Sequence, residues 1–288
     1  MMTKQLLIVI CLSVLELAPQ SFSQSAREFL LEGVAKFDSS QFQEALKIFN
    51  QGIKFYPNSE EPLYLMRGAT KFFMEDYGGA LEDYNKALEV SPQFHATSYL
   101  YRGRLYRVVK KYTEAVLDFS QVIALNPSSR NAFYERGLTN HQMGNDSLAL
   151  ADLNKAIELD SSNAEAHTCR GRVNLRLERY DEAVLDFSQV IGVDSSNSEA
   201  FCERGVALYQ LRNDSAALAD LNKAIELDSS NALAYKGRGM LWHYMKEHDR
   251  GCSDLEKAVT LGLDEVNDLL EHYCGKRLFH FQLKKSKK

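Results

Sequence analysis

The sequence has little of what marks several common protein classes. It contains five prolines in 288 residues, and none interrupts a segment of helical periodicity. Its five cysteines form no Cys-x-x-Cys pair and have no histidine cluster beside them, which argues against a zinc site. The glycines are spread along the chain and form no phosphate-binding loop. No metal and no cofactor is therefore predicted.

Neither the net charge nor any catalytic motif points to nucleic-acid binding or to an enzymatic reaction. The net charge of −5 gives no reason to expect nucleic acid as a partner. No serine sits in a nucleophile elbow. His243 and His248 are five residues apart, so they do not share a helix face as a metal-binding pair would. We predict a protein that is not an enzyme.

Long apolar runs are absent except at the N-terminus. Residues 6–15 are almost wholly apolar, but this is about half of the roughly 20 residues that a membrane span needs. Small residues follow at Ser21 and Ser23, the −3 and −1 positions of a cut before Gln24. We predict a signal peptide over residues 1–23 and an exported protein, periplasmic or secreted. If the leader is retained, it would serve as a membrane anchor.

The C-terminal segment 276–288 is basic and has no acidic residue after Glu271. The simple interpretation is a solvated tail. The alternative is a segment that docks on an anionic surface or partner. Membrane contact is therefore predicted only through this tail or the leader.

The strongest positive feature is a glycine that recurs at a nearly fixed interval. The intervals are 35 or 34 residues throughout, and the members are Gly33, Gly68, Gly103, Gly137, Gly171, Gly205 and Gly239. Such a period predicts one small unit copied seven times in a stacked-repeat protein.

Each of these glycines is followed at fixed offsets by a small residue and then a large apolar one, such as Ala115 and Phe119 after Gly103. The spacing predicts two helices per unit, which cross closely where side-chain bulk is missing, while the large residue fills the gap between units. Gly251 replaces the alanine in unit seven, which predicts a looser second helix there.

The connections between units carry helix-ending and helix-starting residues. Pro57, Pro92 and Pro127 follow second helices, where proline ends a helix. In later units Asp-Ser-Ser-Asn stands in their place, at 160–163, 194–197 and 228–231, and predicts caps for the next helix.

The combined pattern resembles the tetratricopeptide repeat family. Its clearest unit has Tyr99, Gly103, Tyr106, Tyr112, Ala115, Phe119 and Pro127 at the family spacing. The resemblance implies an all-α, right-handed superhelix, an alpha-alpha solenoid of seven helix-turn-helix repeats with a C-terminal capping helix. The predicted repeats are 26–59, 61–94, 96–129, 130–163, 164–197, 198–231 and 232–262, followed by a cap at 263–275 and the tail at 276–288.

The resemblance also implies a concave groove lined by the first helices. The family's groove positions fall on an apolar zone and a cationic zone with interspersed tyrosines: Leu30, Leu65, Phe72, Phe73, Leu100, Arg104, Arg107, Tyr134, Arg172, Arg176, Tyr209 and Tyr244. This implies a scaffold that binds a protein or peptide segment of acidic and aromatic character. The alternative is a subunit of a membrane-associated assembly that docks through the tail or a retained anchor.

One charged pattern follows the same period. In units two to seven an arginine precedes the glycine and an aspartate precedes the large apolar residue, whereas unit one has Glu32 and Ile48 in these places. Because both charges are present or absent together, we predict an Arg–Asp pair within each unit.

Four cysteines follow the predicted leader: Cys169, Cys202, Cys252 and Cys274. Their spacing does not follow the repeat, so buried free thiols are favoured. A bridge between Cys252 and Cys274 is the alternative.

Overall fold

The computed structural model describes residues 24–56, 61–90 and 95–275, and every regular element in these ranges is a helix. The predicted leader 1–23, Pro57, Pro92 and the basic tail 276–288 lie outside the described residues. Contacts divide the chain into two units, residues 1–148 and 149–288, which are described separately. None of the described helices is both long and apolar enough to span a membrane.

Helices of the first unit follow one another in packed pairs. They are α1 (Gln24–Asp38), α2 (Phe42–Phe55), α3 (Glu61–Phe73), α4 (Tyr77–Val90), α5 (His95–Val108), α6 (Tyr112–Leu125) and α7 (Arg130–Gln142). Within α1–α6 each odd-numbered helix packs on the even-numbered helix that follows, and the first helices of neighbouring pairs also touch. The next helix, α8 (Asp146–Leu159), contains the boundary between the units.

The second unit continues the same arrangement. Its helices are α9 (Ala164–Arg176), α10 (Tyr180–Val193), α11 (Ser198–Gln210), α12 (Asp214–Leu227), α13 (Ala232–Tyr244), α14 (His248–Thr260) and α15 (Asn267–Cys274). A short 3-10 helix, Asp264–Val266, precedes α15. Consecutive helix pairs and an all-α architecture are thus as the sequence predicts.

The Asp-Ser-Ser-Asn connections cap the helices that follow them, as predicted. The Asn163 side chain accepts a hydrogen bond from the backbone N–H of Ala166 at 2.9 Å, and Asn197 and Asn231 do the same for α11 and α13. The aspartate that opens the motif binds the serine two residues later. Asp194 accepts hydrogen bonds from the hydroxyl and backbone N–H of Ser196, which lower the pKa of this carboxyl.

The recurring glycines mark where helices of one pair cross. A Cβ atom on Gly171 would lie 2.8 Å from the ring of Phe187, so a side chain there would collide with the large apolar residue of the same pair. Phe187 is fully buried and also clusters with Ala207 of the next pair. It therefore fills space within its pair as well as the predicted space between pairs.

The turn inside each pair holds one residue with left-handed backbone. These residues recur at the period of the repeat and have positive φ angles: Ser40, Glu75, Lys110, Gly144, Glu178, Arg212 and Lys246. Six of the seven carry a side chain, which makes this conformation unfavourable by about 1–2 kcal/mol.

An arginine joins three helices in five of the repeats. Arg102 on α5 donates from Nε and Nη2 to the two carboxylate oxygens of Asp118 on α6, both at 2.8 Å. Its Nη1 donates to Asn85 Oδ1 on α4 of the preceding pair at 2.7 Å. The ring of Tyr99 lies 5.3 Å from the guanidinium carbon. One side chain thus links the two helices of its own pair to the pair before.

We call this arrangement the arginine node, and four further copies have the same geometry. The paired residues are Arg67 with Asp83, Arg170 with Asp186, Arg204 with Asp220 and Arg238 with Asp254. The preceding pair contributes Asn50, Asn154, Ser188 and Asn222. All of these aspartates are buried. The hydrogen bonds to aspartate raise the pKa of Arg102, Arg204 and Arg238. The predicted Arg–Asp pairing is confirmed in these nodes.

The segment after α14 covers the apolar face of the last pair. Val266 and Leu270 are buried and cluster with Leu255 and Ala258 of α14. Tyr273, in the same segment, is nearly half exposed and stacks on the ring of His243, with the ring centroids 4.7 Å apart.

Two sequence-based expectations fail at this end. The bridge given as the alternative is present: Cys252 and Cys274, favoured as free thiols, form a disulfide with Cα atoms 5.8 Å apart, whereas Cys169 and Cys202 lie outside it and are buried. The space left by Gly251 is not empty, because the ring of His243 fills it.

A double-mutant cycle at the Arg102–Asp118 node tests its structural role. Arg102→Ala should lower the free energy of unfolding by about 1–3 kcal/mol, because the buried aspartate loses its partner. The double variant with Asp118→Ala should lose less than the sum of the single variants, as measured in denaturant melts. As a control, Lys155→Ala removes only an exposed pair with Glu158 and should change stability by less than about 0.5 kcal/mol. Additive losses at Arg102 and Asp118 would contradict the node.

Glycine at a left-handed turn position should stabilise the chain. Glu178 is exposed with φ of 58°, so Glu178→Gly should raise the free energy of unfolding by about 0.5–1 kcal/mol by removing backbone strain. The reverse change, Gly144→Ala at φ of 82°, should lower it by a similar amount. Thermal melts compare the two, and equal shifts of the same sign would refute the explanation.

Candidate functional site

The predicted apolar zone of the groove is largely core. Leu30 and Leu65 are fully buried in the hydrophobic cluster of the first unit. Phe72 and Phe73 are half-buried and pack against that cluster, and Leu100 is also half-buried. The structure therefore offers Leu30 and Leu65 to no partner, because their side chains already fill the interior.

The two arginines of the predicted cationic zone in the first unit share one glutamate. Arg104 Nε donates to Glu135 Oε1 at 2.5 Å, and Arg107 Nη2 lies 3.0 Å from Glu135 Oε2. The side chains of Arg104 and Glu135 are each only 3% exposed. This buried pair joins α5 to α7, the first helices of neighbouring pairs. Tyr134, beside it in the sequence, is half-buried.

In the second unit the arginines are again engaged, and the tyrosines meet. Arg172 binds Glu199 at 2.5 Å and Glu203 at 3.1 Å, and Arg176 is exposed at the end of α9. The rings of Tyr209 and Tyr244 are edge to face with centroids 6.1 Å apart. Burial raises the pKa of Tyr209. Among the predicted groove residues, Phe72 and Phe73 of the first unit are likewise edge to face, with centroids 5.8 Å apart.

A pocket of about 520 Å³ opens between α11 and α13. Its apolar wall is formed by Cys202, Val206, Leu221, Gly237 and Met240. Tyr209 stands at one end and is the only member of the predicted groove that lines it. We call this cavity the α11–α13 pocket.

The register of the pocket lacks an ion pair that occurs at two other places along the first helices. Arg104 pairs with Glu135 and Arg172 with Glu203, each across 31 residues on neighbouring first helices. At the same register in the next pair stand Val206 and Gly237. No long side chains bridge the helices there, and a Cβ on Gly237 would meet Leu221 at 3.0 Å. The cavity occupies the register in which Arg104 with Glu135, and Arg172 with Glu203, form salt bridges.

The rim of the pocket is acidic. Glu199, Glu203 and Asp228 line it, and its one lysine, Lys236, is bound to Glu265 at 2.8 Å. With Arg172 included, these residues set four carboxylates against two cations. Burial, together with Glu203 and Glu199, raises the pKa of the Cys202 thiol to about 12. The thiol therefore stays protonated and serves as wall rather than nucleophile.

Sequence reasoning missed most of this site, although signals existed. Val206 and Met240 directly follow the repeat glycines, the position that placed Arg104 and Arg172 in the groove. Gly237 is an additional glycine two residues before Gly239, out of step with the period. Val206, Gly237 and Met240 carry no charge, and a prediction based on charged groove positions therefore leaves them out.

Comparison with known proteins agrees with this architecture. Residues 141–178 match a family model described as TPR repeat, and residues 169–232 and 61–94 match two models described as tetratricopeptide repeat. None of the curated proteins matches the sequence.

Solved structures of repeat proteins are similar to the chain. A tetratricopeptide repeat protein from Parabacteroides merdae has 21% identity, a TM-score of 0.64, and coverage of 88% of this chain and 100% of its own. YrrB, described as a TPR protein with an unusual peptide-binding site, has 28% identity, a TM-score of 0.55, and coverage of 65% of this chain and 95% of its own. A chain of the Cut9–Hcn1 hetero-tetramer of the APC/C has 16% identity, a TM-score of 0.69, and coverage of 94% of this chain and 52% of its own.

Family models, repeat period and paired helices all lead to one assignment. The chain is a tetratricopeptide repeat protein.

Proposed function

We propose that this protein is a non-enzymatic scaffold that binds a segment of a partner protein along its first helices, with an apolar side chain of the partner in the α11–α13 pocket. The volume of about 520 Å³ and the apolar wall carry the proposal, because pockets of roughly 300–1,000 Å³ are typical of ligand sites. The peptide-binding site named for YrrB supports the same use of the fold.

The charge of the rim selects the chemistry of the partner. An acidic and aromatic partner is predicted from Arg104, Arg107, Arg172 and Arg176. Three of these arginines already bind glutamates, and the pocket rim carries an excess of carboxylates. We therefore propose a partner segment with an aromatic or aliphatic anchor and flanking lysine or arginine residues. The membrane-docking alternative depends on residues outside the described ranges and stays a prediction.

A fluorescent peptide with a Leu-Phe-Leu centre and two lysines on each side tests the pocket. It should bind the full chain, and Val206→Trp should weaken binding by at least about tenfold, or 1.4 kcal/mol, by filling the cavity. Val193→Trp, the same change at an exposed position on α10, is the matched control and should bind as the parent does. Anisotropy titrations give the dissociation constants.

Two peptide variants separate charge from shape. Glutamates in place of the lysines should weaken binding because of the acidic rim, and serines in place of the apolar centre should abolish it. If all three peptides bind alike, or if the two tryptophan variants are indistinguishable, the pocket is not the binding site.

We also propose that the protein is exported and that residues 1–23 are removed. The support is the short apolar run and the small residues at Ser21 and Ser23. Sequencing the N-terminus of exported material should find Gln24 first. A chain that begins at Met1 would instead favour a retained anchor.

A further inference from the structure

Three residues from three helices meet at the C-terminal end of the second unit. His243 is the penultimate residue of α13, Cys252 lies in the first turns of α14, and Cys274 is the last residue of α15. His243 Nε2 is 3.7 Å from Cys252 Sγ and 3.8 Å from Cys274 Sγ. The two sulfurs are joined as the disulfide. The imidazole nitrogen is thus almost equidistant from both.

The local sequence is adapted to hold the His243 ring in this place. Gly251 stands where the other six repeats have alanine, and a Cβ there would lie 2.5 Å from His243 Cδ2 and 2.7 Å from Nε2. Tyr273 stacks on the ring, and His243 Nδ1 lies 3.1 Å from His248 Nδ1. His243 is buried and has its Nε2 directed at the sulfurs, while its other nitrogen has a partner of its own.

This contact corrects the sequence-based reasoning on the two histidines. His243 and His248 were expected to be apart because they do not share a helix face, yet they meet across the turn between α13 and α14. A second partner on the remote nitrogen is a common feature of metal-binding histidines, since it fixes the ring orientation.

The spacing of the three ligand atoms suits a tetrahedral cation. Zinc binds thiolate at about 2.3 Å and imidazole at about 2.0–2.1 Å, which puts nitrogen and sulfur roughly 3.5 Å apart and two sulfurs roughly 3.8 Å apart. Both nitrogen–sulfur separations are already within a few tenths of an ångström of that value. Only the two sulfurs must move apart, and reduction of the disulfide permits this.

We infer that the reduced chain holds one Zn²⁺, or a similar borderline-soft divalent cation, through Cys252 Sγ, Cys274 Sγ and His243 Nε2. The fourth position of the tetrahedron is left for water. Cys252 follows His243 by 9 residues and precedes Cys274 by 22. The site therefore has no Cys-x-x-Cys spacing by which it could be recognised in the sequence.

The conversion of the disulfide form into the zinc-bound form balances in electrons and protons. A dithiol reductant attacks the disulfide, closes to its own cyclic disulfide and leaves Cys252 and Cys274 as two thiols, which transfers two electrons and two protons. Zn²⁺ then displaces both thiol protons, and His243 ligates as the neutral imidazole. The disulfide and the metal exclude each other, and either one fastens α15 to the last helix pair.

Cobalt(II), a spectroscopic substitute for zinc, tests this on the full chain without oxygen. After reduction with dithiothreitol and removal of the reductant, the chain should bind one Co²⁺ and show a thiolate-to-cobalt charge-transfer band with the visible bands of a tetrahedral ion. The oxidised chain, identical in sequence, should show neither. Zinc should displace the cobalt, and native mass spectrometry should count one zinc per chain.

Variants identify the ligands. Both thiolates contribute to the charge-transfer band, so Cys274→Ser should abolish the band or reduce its intensity by about half. His243→Gln should weaken cobalt binding by at least tenfold, since a ligand is lost outright. Cys202→Ser removes a buried thiol elsewhere and should leave the spectrum unchanged. Circular dichroism verifies that each variant is folded. Absence of the band in the reduced parent chain, or its loss in Cys202→Ser, would overturn the assignment.

Discussion

The arginine node is the interaction on which the stacking of helix pairs depends. An aspartate buried between two helices is unfavourable unless its charge is matched, and the planar guanidinium does so with two parallel hydrogen bonds. The remaining donor of the same fork reaches the preceding pair, as Arg102 does with Asn85. The cost of one buried charge therefore enforces both the closure of a pair and its attachment to the next. The first pair lacks the node, and aromatic contacts among Phe37, Phe42 and Phe73 hold it instead.

Arginines on the first helices also close two parts of the surface between neighbouring pairs. On the first helices, Arg104 and Arg172 reach forward to glutamates of the next pair and close the space between neighbouring helices. This link is absent between α11 and α13. Val206 and Gly237 stand in that register, and both line the α11–α13 pocket. A cationic sequence pattern thus marks the closed part of the surface rather than the open part.

Sequence reasoning recovered what repeats and missed what departs from the repeat. The glycine crossings, the Asn caps and the Arg–Asp pairing recur every 34 or 35 residues, so each copy supports the interpretation of the others. The pocket, the His243 insertion and the disulfide each occur once, and each depends on which helices face one another. Nothing in the spacing of Cys252 and Cys274 reveals that α15 folds back on α14. Burial of Leu30 and Leu65 was missed for a related reason, since a family position defines a helix face but not what the neighbouring helix places against it.

The departures are also physically connected to each other. Lys236 on the rim of the α11–α13 pocket is bound to Glu265, which belongs to the 3-10 helix that leads into α15. Tyr273 near the end of α15 contributes to the raised pKa of Tyr209 at the end of the pocket, after the larger effect of burial. The link between Cys252 and Cys274 fixes α15, and through it the position of Glu265. Glu265 pairs with the one lysine of the rim, so the C-terminal end contributes to the charge around the pocket. The segment closed by the disulfide, between Cys252 and Cys274, therefore also supplies a charged residue near the rim of the pocket.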